Sequence, residues 1–355
     1  MKILGLRMVG AARRTVRIGI GAALCASVVL AGTACASSSP SQAGATASAA
    51  QHYNITVGQS SATYDVAPEK VVEKNGQLAA HGITEKDVLL SSSSTLLAAL
   101  VSGGIDFGLT NSFSVLGARA AGVPVVAVCG TYEGINGLSL VVSSSLTKSL
   151  HLVAGDVNGD LRKLKGQNIG VSSPTSTGGK ILTGLLEAAG LGSSWVKEVS
   201  LSTSASVTAL AHGEIAGFIG NIPNPQQAVA QHVGVIAFDM SQVPELDGIQ
   251  YDVIATSESF LKAHPQEVKA FLKVVAEGQS ALAAKQPSAL KDIAGILNQG
   301  LPASVIDGAA TTGVEQNCSM SSSGWQNAAA VLNKFGMASK TISPSAVTDA
   351  YHSGL

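Results

Sequence analysis

The sequence predicts an α/β protein of two similar lobes, and three observations carry that prediction. From residue 53 onward short β-rich runs alternate with Ala/Leu-rich helical stretches, the pattern of a parallel sheet covered by helices. Ala98–Ile105 and Thr208–Ile215 align with one another, each a helix end, a glycine stop and a strand start, as two lobes of one design produce. After Ala255 no strand is evident, so the helical last third must pack on lobes already built. With 355 residues, 46% hydrophobic and only 13% charged, the chain can fill both cores.

Residues 1–34 have the parts of a secretory signal: Lys2, Arg7, Arg13, Arg14 and Arg17 at the start, an apolar run from Ile18 to Ala31, and small residues before a cysteine. The run falls short of the roughly 20 apolar residues of a membrane span. Gly32-Thr33-Ala34-Cys35 resembles a bacterial lipobox, with Gly32 where Leu is usual. That implies lipidation of Cys35 and a chain anchored to the cell membrane, with residues 35–51, rich in Ser and Ala, as a flexible tether. Ala34-Cys35-Ala36 also fits ordinary signal-peptidase cleavage, which yields a secreted or periplasmic soluble protein, so both routes stand open.

The chain carries 22 Lys+Arg against 23 Asp+Glu, and the basic residues of the signal leave with it. The exported part is therefore acidic, with Arg119 and Arg162 as its only arginines. It lacks the clustered basic face that nucleic acid requires, so no nucleic-acid partner is expected. Cys129 and Cys318 are the cysteines left after export and lipidation. A disulfide between them is permitted outside the cytoplasm, and two separate buried thiols are the alternative.

Strands are predicted at Asn54–Gly58, Asp87–Leu90, Ile105–Leu109, Val123–Val128, Leu138–Val142, Asn168–Val171, Lys197–Ser200, Ala216–Gly220, Val233–Phe238 and Tyr251–Ala255. Ser257–Lys285 reads as one long helix or a pair, with a turn at His264-Pro265 and then Val268, Phe271, Leu272 and Val275 at helical spacing. Further helices are expected at Ser288–Leu297, Ala303–Gly313, Ser323–Phe335 and Ser343–His352. Residues 52–138 then form the first lobe, 139–256 the second, and 257–355 return to the first, with Leu138–Val142 and Tyr251–Ala255 as the crossings.

In parallel α/β sheets ligands bind beyond the carboxyl ends of the strands. Four such loops are polar here. They offer Gln59, Ser60 and Tyr64; Ser92, Ser93, Ser94 and Thr95; Thr110, Asn111 and Ser112; and Ser173, Thr175, Ser176, Thr177 and Gly178. The last three precede helical stretches, so hydroxyls and unpaired amides face an incoming anion. The same residues also serve to cap their own helices. Tyr64, Phe113, Tyr132 and Tyr251 can wall an organic ligand, and Glu133 and Asn221 lie at neighbouring strand ends. Asp65, Glu133 and Asp252, in the same regions, could receive an amine. These loops hold no arginine, and Lys180 is the nearest cation. A bare, strongly hydrated anion asks for fixed cations, so the loops favour an organic body with at most one small anionic group.

Asn54–Ser60, Leu96–Thr110, Ala120–Val125, Leu164–Val171, and His264-Pro265 with Lys269–Leu272 together resemble the nitrate/sulfonate/taurine class of ABC-transporter solute-binding proteins, which includes pyrimidine-precursor binders. The resemblance spans residues 53–335. It implies a type II periplasmic-binding fold, two α/β lobes joined by two hinge crossings with the ligand in the cleft between them. It also implies a monomer that hands a small solute to an ABC permease, and no cofactor. Gly220-Asn221-Ile222-Pro223-Asn224-Pro225 stands where many members carry an aromatic-acid-Pro cluster, and it leaves open alkanesulfonate, taurine, nitrate or a pyrimidine precursor.

Catalytic patterns are not met. Gly178-Gly179-Lys180-Ile181 has Pro174 at the first glycine place of a phosphate loop, and Gly137-Leu138-Ser139-Leu140-Val141 lacks the second glycine of a nucleophile elbow. The seven histidines show no metal-ligand spacing, and no metal is expected. A binder rather than an enzyme is expected. The competing readings are a cleft enzyme with Cys129 as nucleophile and a sensor lipoprotein.

Overall fold

The computed structural model describes residues 52–60, 64–297 and 301–352, so the signal, the tether and Cys35 lie outside the described residues. The first lobe opens with β1 (Tyr53–Gln59), a 3-10 turn at Tyr64–Val66, α1 (Ala67–Lys74), α2 (Gln77–Ala80) and β2 (Ile83–Leu89). It continues through α3 (Ser93–Ser102), β3 (Phe107–Asn111), α4 (Ser112–Ala120) and β4 (Val125–Glu133). The second lobe runs β5 (Leu138–Ser143), α5 (Ser144–Ser149), α6 (Val157–Lys163), β6 (Asn168–Val171), α7 (Thr177–Ala188), β7 (Lys197–Ser200), α8 (Thr203–Ala211), β8 (Gly217–Asn221), α9 (Asn224–Ala230) and β9 (Gly234–Asp239). The chain returns as β10 (Gln250–Ser257), followed by α10 (Glu258–Ala263), α11 (Pro265–Ala283), α12 (Pro287–Leu297), α13 (Ala303–Thr311), α14 (Ser322–Lys334) and α15 (Pro344–Thr348).

Local chemistry sets these bounds. Ser92 and Thr95 close α3 with a capping box, and Gly103, at φ 72°, lets the chain leave it in the left-handed conformation. Pro265 starts α11 at a position where its missing N–H costs nothing, which ends α10 at Ala263. Val268, Phe271, Leu272 and Val275 then recur at three and four residues and bury one face of α11.

Two five-stranded sheets result, in the orders β2-β1-β3-β10-β4 and β7-β6-β8-β5-β9. In the first, β1 runs parallel to β2 and β3, and β10 lies antiparallel between β3 and β4. In the second, β6 runs parallel to β7 and β8, and β5 lies antiparallel between β8 and β9. Each sheet thus takes its antiparallel strand from the point where the chain has just arrived from the other. Tyr251–Ala255, counted from sequence with the second lobe, pairs instead in the middle of the first sheet. The chain crosses at 134–137 and 240–249, just before the strands expected to be the crossings. All eight residues of β10 are buried, as a central strand covered on both faces requires.

One contiguous core joins α3, α4 and α14 on the first sheet to β5, β6 and α7 of the second. The opposite face of the first sheet packs on α1 and α11, and that of the second on α8 and α9. α14 reaches across. A Cβ on Gly184 of α7 would overlap the ring of Phe335, which follows α14, and the Lys180 ammonium donates to the Met337 carbonyl. A Cys129–Cys318 disulfide, spanning 189 residues, ties β4 to the segment between α13 and α14.

Candidate functional site

Three helices, α3, α4 and α7, begin at strand ends on the rim of the sheets, and each opens on a side-chain cap. The Ser92 hydroxyl accepts from the Thr95 amide at 3.2 Å, and the Ser92 amide donates to Thr95 Oγ1 at 3.1 Å. Ser94 Oγ lies 2.9 Å from Ser92 Oγ, so it is drawn into the same cap. Ser93 is half-buried at the first position of α3. At α4 the Asn111 side chain accepts from the Ser114 amide at 2.9 Å. At α7 the Ser176 hydroxyl accepts from the Gly179 amide at 3.3 Å and donates to the Ser173 carbonyl at 2.6 Å, and Ser173 and Thr175 exchange a hydroxyl contact at 3.2 Å. Thr177 and Gly178 are the first residues of that helix, so their amides precede its first internal hydrogen bond. Gly179 must be glycine here. A Cβ on it would overlap the Ser173 carbonyl oxygen and stand 3.0 Å from Pro174 Cα, both backbone atoms that cannot move aside.

Thr177 and Tyr251 meet across the two sheets. The Tyr251 phenol, on β10, faces the Thr177 side chain, and its ring packs edge-on against Phe113 with centroids 5.5 Å apart. Burial first, then the nearby Asp252 carboxyl, raise its phenol above the ordinary range, and the Thr177 contact pulls the other way. It therefore remains a neutral donor.

Several residues expected in the site are struts instead. Ser112 is fully buried and its hydroxyl donates to the Gln250 carbonyl, which fixes α4 to β10. Tyr132 is fully buried and its hydroxyl donates to the Ala310 carbonyl at 2.9 Å. Its ring packs edge-on against Tyr64, centroids 5.1 Å apart. Tyr64 is 2% exposed and donates to Asp252 Oδ2 at 3.0 Å. Thr110 is buried, with no partner for its hydroxyl. Gln59, Ser60 and Asn221 are half-buried at their strand ends, and Glu133 is exposed at the end of β4.

The electrostatics follow from the same contacts. Lys180, the nearest cation, is spent on the Met337 carbonyl. Arg119 pairs with Glu258 and Asp349, and Arg162 donates to the Ala189 carbonyl, both away from these loops. Asp252 is pushed well above the usual carboxylate range, by burial first and by the Asp65 charge second, against the Tyr64 hydrogen bond. This acid is therefore buried and already engaged by a tyrosine. The rim between α3, α4 and α7 offers neutral donors only: amides, hydroxyls and helix N-termini.

Elsewhere, Glu69, Glu85 and Asp87 converge as a divalent ion would require, but the Lys70 ammonium stands among them. The thiol that a cleft enzyme would have used, Cys129, is held in the disulfide.

Gly178 and Gly179 were legible in the sequence as leaving the backbone open to close approach; the steric need for glycine at 179 and, second, the Tyr64–Asp252 pair were not. A signal existed for the second: Gln250 and Asp252 are polar residues opening a strand that is otherwise apolar, and such residues need partners inside the fold.

Comparison with known proteins gives the ancestry. Residues 48–298 match the NMT1-like family. The taurine-binding periplasmic protein of Escherichia coli is 27% identical over 240 residues, 67% of each chain. Among solved structures, the alkanesulfonate-binding protein from Xanthomonas axonopodis pv. citri, bound to MOPS, superposes with a TM-score of 0.66 at 18% identity, covering 86% of this chain and 99% of that one. The periplasmic nitrate-binding protein from Synechocystis superposes with a TM-score of 0.64 at 17% identity, covering 85% and 86%. A Candida albicans protein described as having the generic periplasmic binding protein fold superposes at 0.62, with 16% identity and 84% and 96% coverage. With its two sheets, two crossings and antiparallel return strands, the chain has the periplasmic-binding-protein fold and belongs to the NMT1-like family.

Proposed function

We propose that this protein is the extracytoplasmic solute-binding component of an ABC importer, and that it captures a small alkanesulfonate-type anion between its lobes and delivers it to a membrane permease. The observation that carries the reading is the contact of Thr177, at the start of α7, with Tyr251 of the other sheet, in a rim of neutral donors whose nearest cation is already engaged. A helix N-terminus carries about half a positive charge and oriented amides, which suits a weakly hydrated sulfonate. Nitrate brings no organic body to bury and gains less from such a site. A taurine-type amine finds Asp252 buried and already bonded to Tyr64, so the plain alkanesulfonate is preferred to the amino-sulfonate.

The signal and lipobox support export and anchoring through Cys35, with the chain acting as a monomer at the outer face of the membrane. Binding without turnover is the activity proposed, and no nucleic acid or cofactor enters it.

Thermal-shift and calorimetric titration of the exported chain tests the reading. Ethanesulfonate should raise the melting temperature and bind with lobe closure, seen as a fall in radius of gyration. Taurine should bind more weakly, and nitrate and aminated pyrimidines more weakly still. Tighter binding of nitrate or a pyrimidine than of any sulfonate would overturn it.

A further inference from the structure

We infer that the groove between α3 and α4 is a subsite for an unbranched aliphatic tail, so that the solutes of this protein include long-chain alkanesulfonates. The inference rests on the proposed capture of a sulfonate head in the rim between α3, α4 and α7.

The groove has a volume of about 540 Å³, within the range of small-molecule sites. Its lining changes character along its length. Ser93 and Ser94, in the first turn of α3, and Ser114, in the first turn of α4, stand at the rim end. Beyond them the walls are Leu97, Ala98, Val101, Ala118 and Val123, with the exposed Ser102 at the far end of α3. A polar mouth at helix N-termini that leads into an apolar channel matches an anionic head with a hydrocarbon tail.

Leu97 belongs to the core, and Ala118 and Val123 pack against it, but the outer wall formed by Ala98 and Val101 does not. α3 buries Leu96 and Leu100, at 0% and 1% exposure, against its own lobe. Ala98 and Val101 point the other way, and Val101 is 41% exposed. A helix lying on a lobe is expected to be polar on its outward face, and α3 instead lines the groove with a second apolar stripe. From Ser93 to Ser102 the helix rises about 14 Å, the length of an extended chain on the order of ten carbons. Small side chains at Ala98 and Ala118 keep the channel open between the two helices.

Calorimetry with linear alkanesulfonates from two to ten carbons, below micellar concentration, tests this on the exported chain. Affinity should rise with each added methylene, by up to about fourfold per step, and level off once the tail reaches Ser102. The readout is the ratio of decanesulfonate to ethanesulfonate affinity. Ala98→Trp, which fills the channel, and Val101→Asp, which charges its wall at an exposed position, should each bring that ratio close to one. Two variants of opposite chemistry guard against one that misfolds, and circular dichroism checks both.

Ethanesulfonate binding with no gain on lengthening, or a ratio unchanged in both variants, would refute the tail subsite and leave the proposed head site standing. No binding of any sulfonate would sink the proposed function itself, and the tail with it. Self-association of the parent that Ala98→Trp abolishes would show that a second copy covers the groove, which also overturns the inference.

Discussion

The Tyr64 hydroxyl donates to Asp252 Oδ2 at 3.0 Å, and both side chains are buried, so the turn after β1 is pinned to the central strand that returns from the other lobe. Tyr64 also lies beside the hinge, its Cε1 3.6 Å from where a Cβ on Gly137 would stand. Removing the hydroxyl in Tyr64→Phe leaves a buried acceptor unsatisfied and should cost about 1–3 kcal/mol. Asp252→Asn keeps shape and neutrality and should cost less. Because folding raises the Asp252 pKa, its contribution is full below the ordinary carboxylate range and is lost as pH rises through the folded value. Urea unfolding of the parent should therefore show stability falling with rising pH across that window, and the Asn variant should flatten the slope. An unchanged slope would mean that Asp252 is ionised in the fold.

Lys70 makes the densest ionic cluster among the described residues. Its ammonium lies 3.3 Å from Glu69, 2.9 Å from Glu73, 3.4 Å from Glu85 and 2.6 Å from Asp87. Burial opposes its charge, and the carboxylates, Glu69 foremost, outweigh burial and raise its pKa. Glu69 and Glu85 are themselves raised, by burial first. Lys70→Met strips the counter-charge from buried carboxylates and should cost about 3–5 kcal/mol near neutral pH. On acidification Glu69 and Glu85 take up protons, so the loss should shrink toward pH 5. Melting temperatures of parent and variant at the two pH values check this, and an equal deficit at both would contradict it.

The Cys129–Cys318 bond should stabilise the first lobe mainly by shortening the unfolded chain. For a loop of 189 residues the chain-entropy account allows up to about 5 kcal/mol. Gln279 braces the same place, donating to the Gly130 carbonyl at 2.7 Å and accepting from the Cys318 amide at 2.8 Å. Reductant should lower the melting temperature of the exported chain and leave a Cys129→Ala/Cys318→Ala variant unaffected. Equal melting with and without reductant would show that the bond is absent or idle.

Much of this was legible in the residues. Asn168–Val171 and Lys197–Ser200 are strands with the bounds that short β-rich runs suggest, because both are flanked by turn residues. β2 begins at Ile83 and not at Asp87, the start expected from the sequence because Thr84, Glu85 and Lys86, which lead into Asp87, look like loop. They form a sheet edge whose acids are neutralised by Lys70 of α1, a contact that no local pattern announces. The site was half legible for the same reason. Its serines and threonines were visible as helix starts. That Ser112 and Tyr132 are spent on carbonyls 138 and 178 residues away was not. Nor could spacing bring Thr177 to Tyr251, because the antiparallel return of β10 into the first sheet decides it.

The start of α7 offers the sharpest test of the binding site, since three adjacent residues there should fail for different reasons. Thr177→Ala removes the hydroxyl that faces Tyr251, and should weaken ethanesulfonate binding by about 1–2 kcal/mol, roughly five- to thirty-fold, with little change in melting temperature. Gly178→Ala places a Cβ 3.0 Å from Ile219 Cγ2, a side-chain atom that can give a little, so a milder loss is expected. Gly179→Ala drives its Cβ into the Ser173 carbonyl, which cannot give. It should open the 173–179 turn, cost about 1–3 kcal/mol of stability as overpacking does, and reduce binding most of the three. Calorimetry with ethanesulfonate and thermal melts on each variant separate these outcomes. If all three bind like the parent, the turn only caps its helix and the anion is held elsewhere on the rim.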